Sequence, residues 1–274
     1  MTPPDSWLPP PARAPLMARD DHGSPSVFRP ENMLREARRQ KGLTLGRVAP
    51  VCVLDPDGDV VRHVRDARAA RLCRHWACYH TEMWEWEEDG QPIGIVGCAV
   101  GASFSVLVAE QLFVSGCELL VSIASAGQIA DLGPPPYHIL IERALRDEGT
   151  SYHYLPPADY VGIDDRLRLL VERALLGSHH AVHRGDTWTT DAPFRETAST
   201  IALRRRQGVL AVEMEAAALY AFAKACERPV LCLAHVTNQL GCVPGDFEKG
   251  AHNGAEDSLS LVRSVARRWI SEAL

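Results

Sequence analysis

Two carboxylates flank a methionine at Glu213, Met214 and Glu215, where an apolar stretch gives way to an alanine-rich one. On a strand the two would share one face, with Met214 on the other. A helix starting at this point would splay them instead, leaving a single carboxylate to reach a cleft and accept both hydroxyl hydrogen bonds of a ribose. The same pair could equally do no more than set negative charge at a helix N-terminus. Spacing alone leaves both readings open.

Gly58, Asp59, Val60, Val61 and Arg62 offer a second kind of chemistry. A backbone amide approaches an anion closely only where no side chain intervenes, and a guanidinium matches phosphate through paired hydrogen bonds. As an isolated pattern an Asp-Gly turn is common. Small residues at 97–103 and 124–127 would let a ligand lie against the backbone, and the Ser125 hydroxyl could donate to phosphate or to a water nucleophile. Tight packing of helix on sheet calls for the same composition. Trp188 stands in a polar stretch, residues 185–191; a lone Trp in a strand is ordinarily part of a core. His75, Cys78 and His80 invite a zinc reading, but no second Cys/His pair has ligand spacing, so no metal is expected.

These residues need a frame, and the hydrophobic pattern supplies one. Strands are expected at 51–54, 93–100, 119–123, 138–143, 181–187, 209–212 and 229–236. Helices are expected at 31–40, 106–115, 164–176, 194–207, 216–226 and 256–274. Alternation of this kind implies one α/β domain with a mixed central sheet covered by helices on both sides, a three-layer arrangement. In such sheets ligands collect at the carboxyl ends of the strands.

The segment VEMEAAALYAFA, residues 212–223, resembles the signature of the nucleoside phosphorylase and uridine phosphorylase family, and three other segments agree with that family in order. The resemblance covers roughly residues 51–236. It implies a single-domain nucleoside phosphorylase-like fold over residues 31–274, preceded by a Pro-rich, flexible arm over residues 1–30. It further implies cleavage of an N-glycosidic bond by phosphorolysis, giving free base and sugar 1-phosphate. By this similarity Glu215 would hold the ribose 2'- and 3'-hydroxyls, Met214 would pack under the sugar and Glu213 would support them. Gly58, Arg62 and Ser125 would contact phosphate, Trp188 would stack on the base, and Arg195, followed by Glu196, would lie near the base-reading positions.

The sequence departs from the family at two places. Counting back from Ser125, Ser122 stands where phosphorylases carry an Arg, so one phosphate contact is missing; hydrolytic nucleosidases of the superfamily lack it too. Asn238 stands where purine-cleaving relatives place an Asp that protonates the leaving base. An amide cannot be that acid, but it can still bond the base as charge develops. Two rival readings follow: a nucleosidase that uses water, and a catalytically silent nucleoside-binding protein.

Composition narrows the partners. The 274 residues carry a formal net charge of -6, with no dense basic stripe, which removes the electrostatic footprint of a nucleic-acid binder. The run Arg204, Arg205, Arg206 reads as a solvated helix face. Eight cysteines without a CxxC pair read as reduced and structural, the N-terminal stretch has no apolar signal region, and no apolar run is long enough to span a bilayer. A cytoplasmic enzyme is expected, with no cofactor beyond phosphate as co-substrate. The family further implies a homodimer or a hexamer built of dimers, in which His80 or His153 could reach a neighbour's sugar.

Overall fold

A computed structural model describes residues 14–176, 182–242 and 244–273. The strands are β1 (Val51–Asp55), β2 (Arg71–Leu72), β3 (Met83–Glu88), β4 (Gln91–Gly97), β5 (Leu119–Gln128), β6 (Tyr137–Asp147), β7 (Tyr160–Gly162), β8 (Val182–Thr190), β9 (Ala211–Glu213) and β10 (Val230–Asn238). The helices are α1 (Pro30–Lys41), α2 (Asp59–Ala67), α3 (Ala102–Val114), α4 (Asp165–Leu175), α5 (Ala198–Arg206), α6 (Ala216–Cys226) and α7 (Ala255–Ala273).

The strands form one mixed sheet in the order β10-β6-β8-β9-β5-β1-β4-β3-β2, with β7 added to β6. β10 also pairs with β5 in parallel, so β5, β10, β6, β8 and β9 close into a ring. β9 closes it with two residues of antiparallel pairing, Gly127 with Val212 and Gln128 with Ala211. β1 lies between β4 and β5, parallel to both, and is buried on both faces, which is why its sequence reads as an unbroken apolar run.

Alternation along the strands splits the interior. Cys52, Leu54, Leu120, Cys232 and Ala234 face α3 and α6; Val51, Val53, Leu119, Val121, Leu231 and Leu233 face α2, α4 and α7. Three layers result, as the sequence predicts. None of the eight cysteines is bridged: five are buried, and Cys98, Cys226 and Cys242 are exposed. Among the described residues no helix is long and apolar enough to cross a membrane.

Several elements differ from the sequence reading. The Gly58 turn runs directly into α2, whose Val60, Val61 and Val64 form a buried stripe at helical spacing. β3 escapes the pattern because its buried Met83 and Trp86 are three apart, breaking the two-residue alternation. The helix expected from 194 starts only at Ala198, where the Thr197 side chain accepts the amide of Thr200; Pro193–Arg195 is a separate 3-10 turn. Ala181, the expected first residue of β8, lies outside the described residues.

Part of the arm expected to be flexible is docked. A 3-10 turn at Pro15–Ala18 precedes Arg19, which donates to His153 Nδ1 at 2.7 Å, and the His22 ring nitrogen lies 3.1 Å from the Tyr152 carbonyl oxygen. Both contacts fall on the 3-10 turn Thr150–His153.

Candidate active site

The site forms where β9 ends and α6 begins. Glu213 is fully buried, and both of its oxygens are engaged within the protein. Oε1 accepts from the hydroxyls of Thr187 (3.0 Å) and Thr189 (2.6 Å), and Oε2 from the amides of Glu215 (2.8 Å) and Ala216 (2.7 Å). Glu213 therefore satisfies amides that the first turn of α6 would otherwise leave without partners, and it ties that turn to β8. With four bonds inside the protein its lone pairs are occupied, and it has no capacity left for a ligand.

Glu215 is the carboxylate left over. Its Oε1 accepts from the Gly101 amide at 2.6 Å and its Oε2 from the Met214 amide at 3.2 Å. Gly101 heads α3 at φ 90°, a left-handed backbone that presents its amide without a side chain in the way. Burial, with the neighbouring charge of Glu213 second, pushes the Glu215 carboxyl up to about 8. The helix start thus splays the pair: Glu213 serves the first turn of α6, while Glu215 turns to the Gly101 amide at the head of α3. Met214 is half-buried between the two.

A second corner lies at the carboxyl ends of β1 and β5. Gly58, at φ 80°, starts α2; a Cβ there would lie 2.6 Å from Cys98 Sγ and 2.8 Å from Arg62 Nη1, so only glycine fits. Arg62 folds back over this turn and donates to the Asp57 carbonyl at 3.2 Å and to Asp59 Oδ1 at 2.7 Å. Lys249 Nζ reaches Asp59 Oδ2 from the chain before α7. The Ser125 amide donates to Asp57 Oδ2 at 2.6 Å. Asp55 accepts from the Val61 amide at 2.8 Å, and burial raises its carboxyl to about 7. His235, beside Ser125 in the ladder, is buried and stacked 4.6 Å from His138; burial lowers its pKa and keeps it neutral.

Asn238 ends β10 opposite Gly127, which also pairs with Val212, so it stands across one strand from the Glu213 turn. Its Nδ2 donates to Thr237 Oγ1 at 3.1 Å, and its Oδ1 accepts the Leu240 amide at 2.9 Å. Next to it a cleft of about 750 Å3 is lined by Gln128, Ile129, Ile201, Arg205 and Leu240, among others.

The structure does not bring Trp188 to Glu215. Thr187 and Thr189 both reach Glu213, so Trp188, between them on β8, faces the other way. It is 2% exposed, packed with Ile129, Leu145, Val209 and Val212. Its indole N–H is bonded to Asp147 at 2.9 Å, and Arg204 lies over the ring. This is the core placement that a lone strand Trp ordinarily has, and it also gives Arg204 and Arg205 work: Arg205 donates to the Ile129 carbonyl at 2.7 Å. Arg195 lies exposed on its 3-10 turn beside Phe194, which is 99% exposed. Ser122 is 2% exposed between Leu54 and Cys232, and presents no charge to the cleft.

Sequence reasoning missed Asp57, Lys249, Cys98, Thr187 and Thr189. The two threonines carried a signal in hindsight, since a period-two Thr pair on a strand marks one polar face. Asp57 and Lys249 carried none, because their roles depend on contacts distant in the chain. Among the described residues no group of three His, Cys, Asp or Glu could hold a metal.

Residues 50–267 match the Phosphorylase superfamily, and the chain belongs to it.

Among its relatives is a DeoD-type purine nucleoside phosphorylase of Colwellia psychrerythraea, 26% identical over 155 residues, which are 55% of this chain. The match spans 65% of that relative's own length. Uridine phosphorylase from Vibrio fischeri shares the fold with a TM-score of 0.70 at 18% identity, over 82% of this chain and 95% of that one. The same enzyme complexed with 6-hydroxy-1-naphthoic acid gives a TM-score of 0.65 at 18% identity, over 85% and 96%.

Proposed function

We propose that the protein cleaves the N-glycosidic bond of a nucleoside, with phosphate as the acceptor. The observation that carries this reading is the state of Glu215. Each of its oxygens accepts one backbone amide, and each keeps a lone pair, so the carboxylate matches the two hydroxyls of a vicinal diol on a ribose. Held there, the anomeric carbon develops positive charge as its bond to the base nitrogen breaks, and a buried carboxylate stabilises that charge. The phosphate oxygen forms the new bond, and the base departs with the electron pair, hydrogen-bonded by Asn238, and then takes up a proton.

Gly58, Arg62 and Ser125 form the acceptor corner in this reading, and Met214 underlies the sugar. The apolar cleft beside Asn238 is the proposed seat of the base; Trp188 supports its floor through the cluster it shares with Ile129, with Ile201 and Leu240 packed against it. Assembly as a dimer, or a hexamer of dimers, belongs to the same proposal. Val100 and Leu107 are exposed and Phe104 is half-buried around the start of α3, giving a neighbour an apolar face near the site.

A second reading, hydrolysis by water, is favoured by Ser122, which supplies no cation where phosphate would need one. One assay tests both. The protein is incubated with adenosine, inosine, guanosine, uridine and thymidine, with and without inorganic phosphate, and free base, free sugar and sugar 1-phosphate are measured. Phosphate-dependent base release with sugar 1-phosphate supports phosphorolysis; phosphate-independent release with free sugar supports hydrolysis. No release from any of them, together with measurable nucleoside binding, would make the protein a silent binder.

A further inference from the structure

We infer that Asp57 is a tethered anion that competes with the acceptor phosphate for the Ser125 amide, and so determines how much phosphate the reaction requires. The inference rests on the proposed phosphate-accepting reaction and adds a specificity-determining residue to it.

Four donors in and around the acceptor corner already have a carboxylate of the same chain as partner. The Ser125 amide donates to Asp57 Oδ2. The Arg62 guanidinium donates to Asp59 Oδ1, Lys249 Nζ to Asp59 Oδ2, and the Asn253 amide group to Asp59 Oδ1 at 3.4 Å. The two aspartates differ in what they face. Asp59 lies between two cations, and its charge is offset by them. Asp57 has one strand amide at 2.6 Å and no ion pair within 4 Å among the described residues. Its negative charge is felt by Asp55, Glu215 and His235, which places it centrally among the site's ionisable groups.

An incoming phosphate therefore meets two obstacles. Its oxygen must replace Asp57 Oδ2 on the Ser125 N–H, and its charge must settle beside a carboxylate that Ser122, lying on β5, does nothing to neutralise. The Asp57 carboxylate copies half of what a phosphate would do in this corner, accepting from a backbone donor with a short, charge-assisted hydrogen bond.

The test uses Asp57→Asn, which keeps the size and removes the charge, and Asp57→Ala, which removes the side chain. Calorimetric titration with inorganic phosphate reads the competition directly, without turnover. Both variants are expected to bind phosphate at least roughly tenfold more tightly than wild type, the range for losing one charged competitor at a hydrogen-bonded site. In the nucleoside assay the phosphate giving half-maximal base release should fall by a similar factor, with the nucleoside KM little changed. Unchanged phosphate affinity in both variants, each retaining the wild-type circular dichroism and melting profile, overturns the inference and leaves nucleoside cleavage standing. Tighter phosphate binding with no cleavage of any nucleoside by wild type keeps the competition and overturns the proposed reaction.

Discussion

At the scale of the residue, the proposed reaction ties its rate to the charge of the Glu215 carboxyl. In the free protein it titrates at about 8, raised by burial and by Glu213, so at neutral pH most molecules carry it protonated. A protonated carboxyl has fewer lone pairs to offer a diol, whereas the carboxylate accepts both hydroxyls. Because kcat/KM reports groups of the free enzyme, it is expected to climb from about pH 6 and level off above about pH 8. In the complex the hydroxyl donors favour the charged form, so kcat should vary less over the same range. A pH–rate series on the best nucleoside checks this; a kcat/KM that stays flat across the range removes Glu215 from the sugar site. Glu215 and Glu213 were both visible in the sequence, and the resemblance already implied different roles for them, but the bonding that occupies Glu213 was not visible. It depends on α6 beginning at Ala216, which puts the Glu215 and Ala216 amides within reach of Glu213.

At the scale of the element, β8 holds α6 through one hydroxyl. Thr189 Oγ1 donates to Glu213 and accepts from the Ala217 amide at 3.0 Å. Thr189→Val preserves the shape of the side chain and removes both bonds, leaving a buried carboxyl one donor short and a helix amide without an acceptor. The expected loss is about 2–3 kcal/mol, a fall in Tm of roughly 5–10 °C for a chain of this length. An unchanged melting curve would show that this link does not fasten helix to sheet. β1, α6 and β10 were legible because long apolar or alanine-rich runs survive any context. β3 and α2 were not, since their buried residues are few and their charged ones many. Trp188 shows the limit of motif matching. Its place in the sequence order suggested a wall of the cleft, yet the parity of β8, set by Thr187 and Thr189, turns it into the core. The contacts of Asp57 with Ser125 and of Asp59 with Lys249 join segments that no local pattern relates.

At the scale of the whole molecule, the buried acids give stability a defined dependence on pH. Asp55 and Glu215 titrate at about 7 and about 8 in the folded protein, against about 4 when unfolded, because burial penalises their charged forms. Between those limits the folded chain binds protons that the unfolded chain has released, so stability falls as pH rises. The contribution is complete below about pH 4 and is lost as pH passes through about 7 and then about 8. From these two groups thermal unfolding should show Tm declining from about pH 4 to about pH 8 and levelling off above it. Glu215→Gln, which cannot ionise, should flatten that decline; an equal slope in the variant would assign the effect to other groups. The closed ring of strands has a consequence of another kind. β9 has only three residues, and its pairing with β5 joins segments far apart in the chain, so closing the ring carries the entropy of a long loop for few hydrogen bonds. Glu215 sits immediately after β9, so in the proposed reaction a chain whose ring is not yet closed has no placed carboxylate for the sugar, and competence arrives together with completion of the seam.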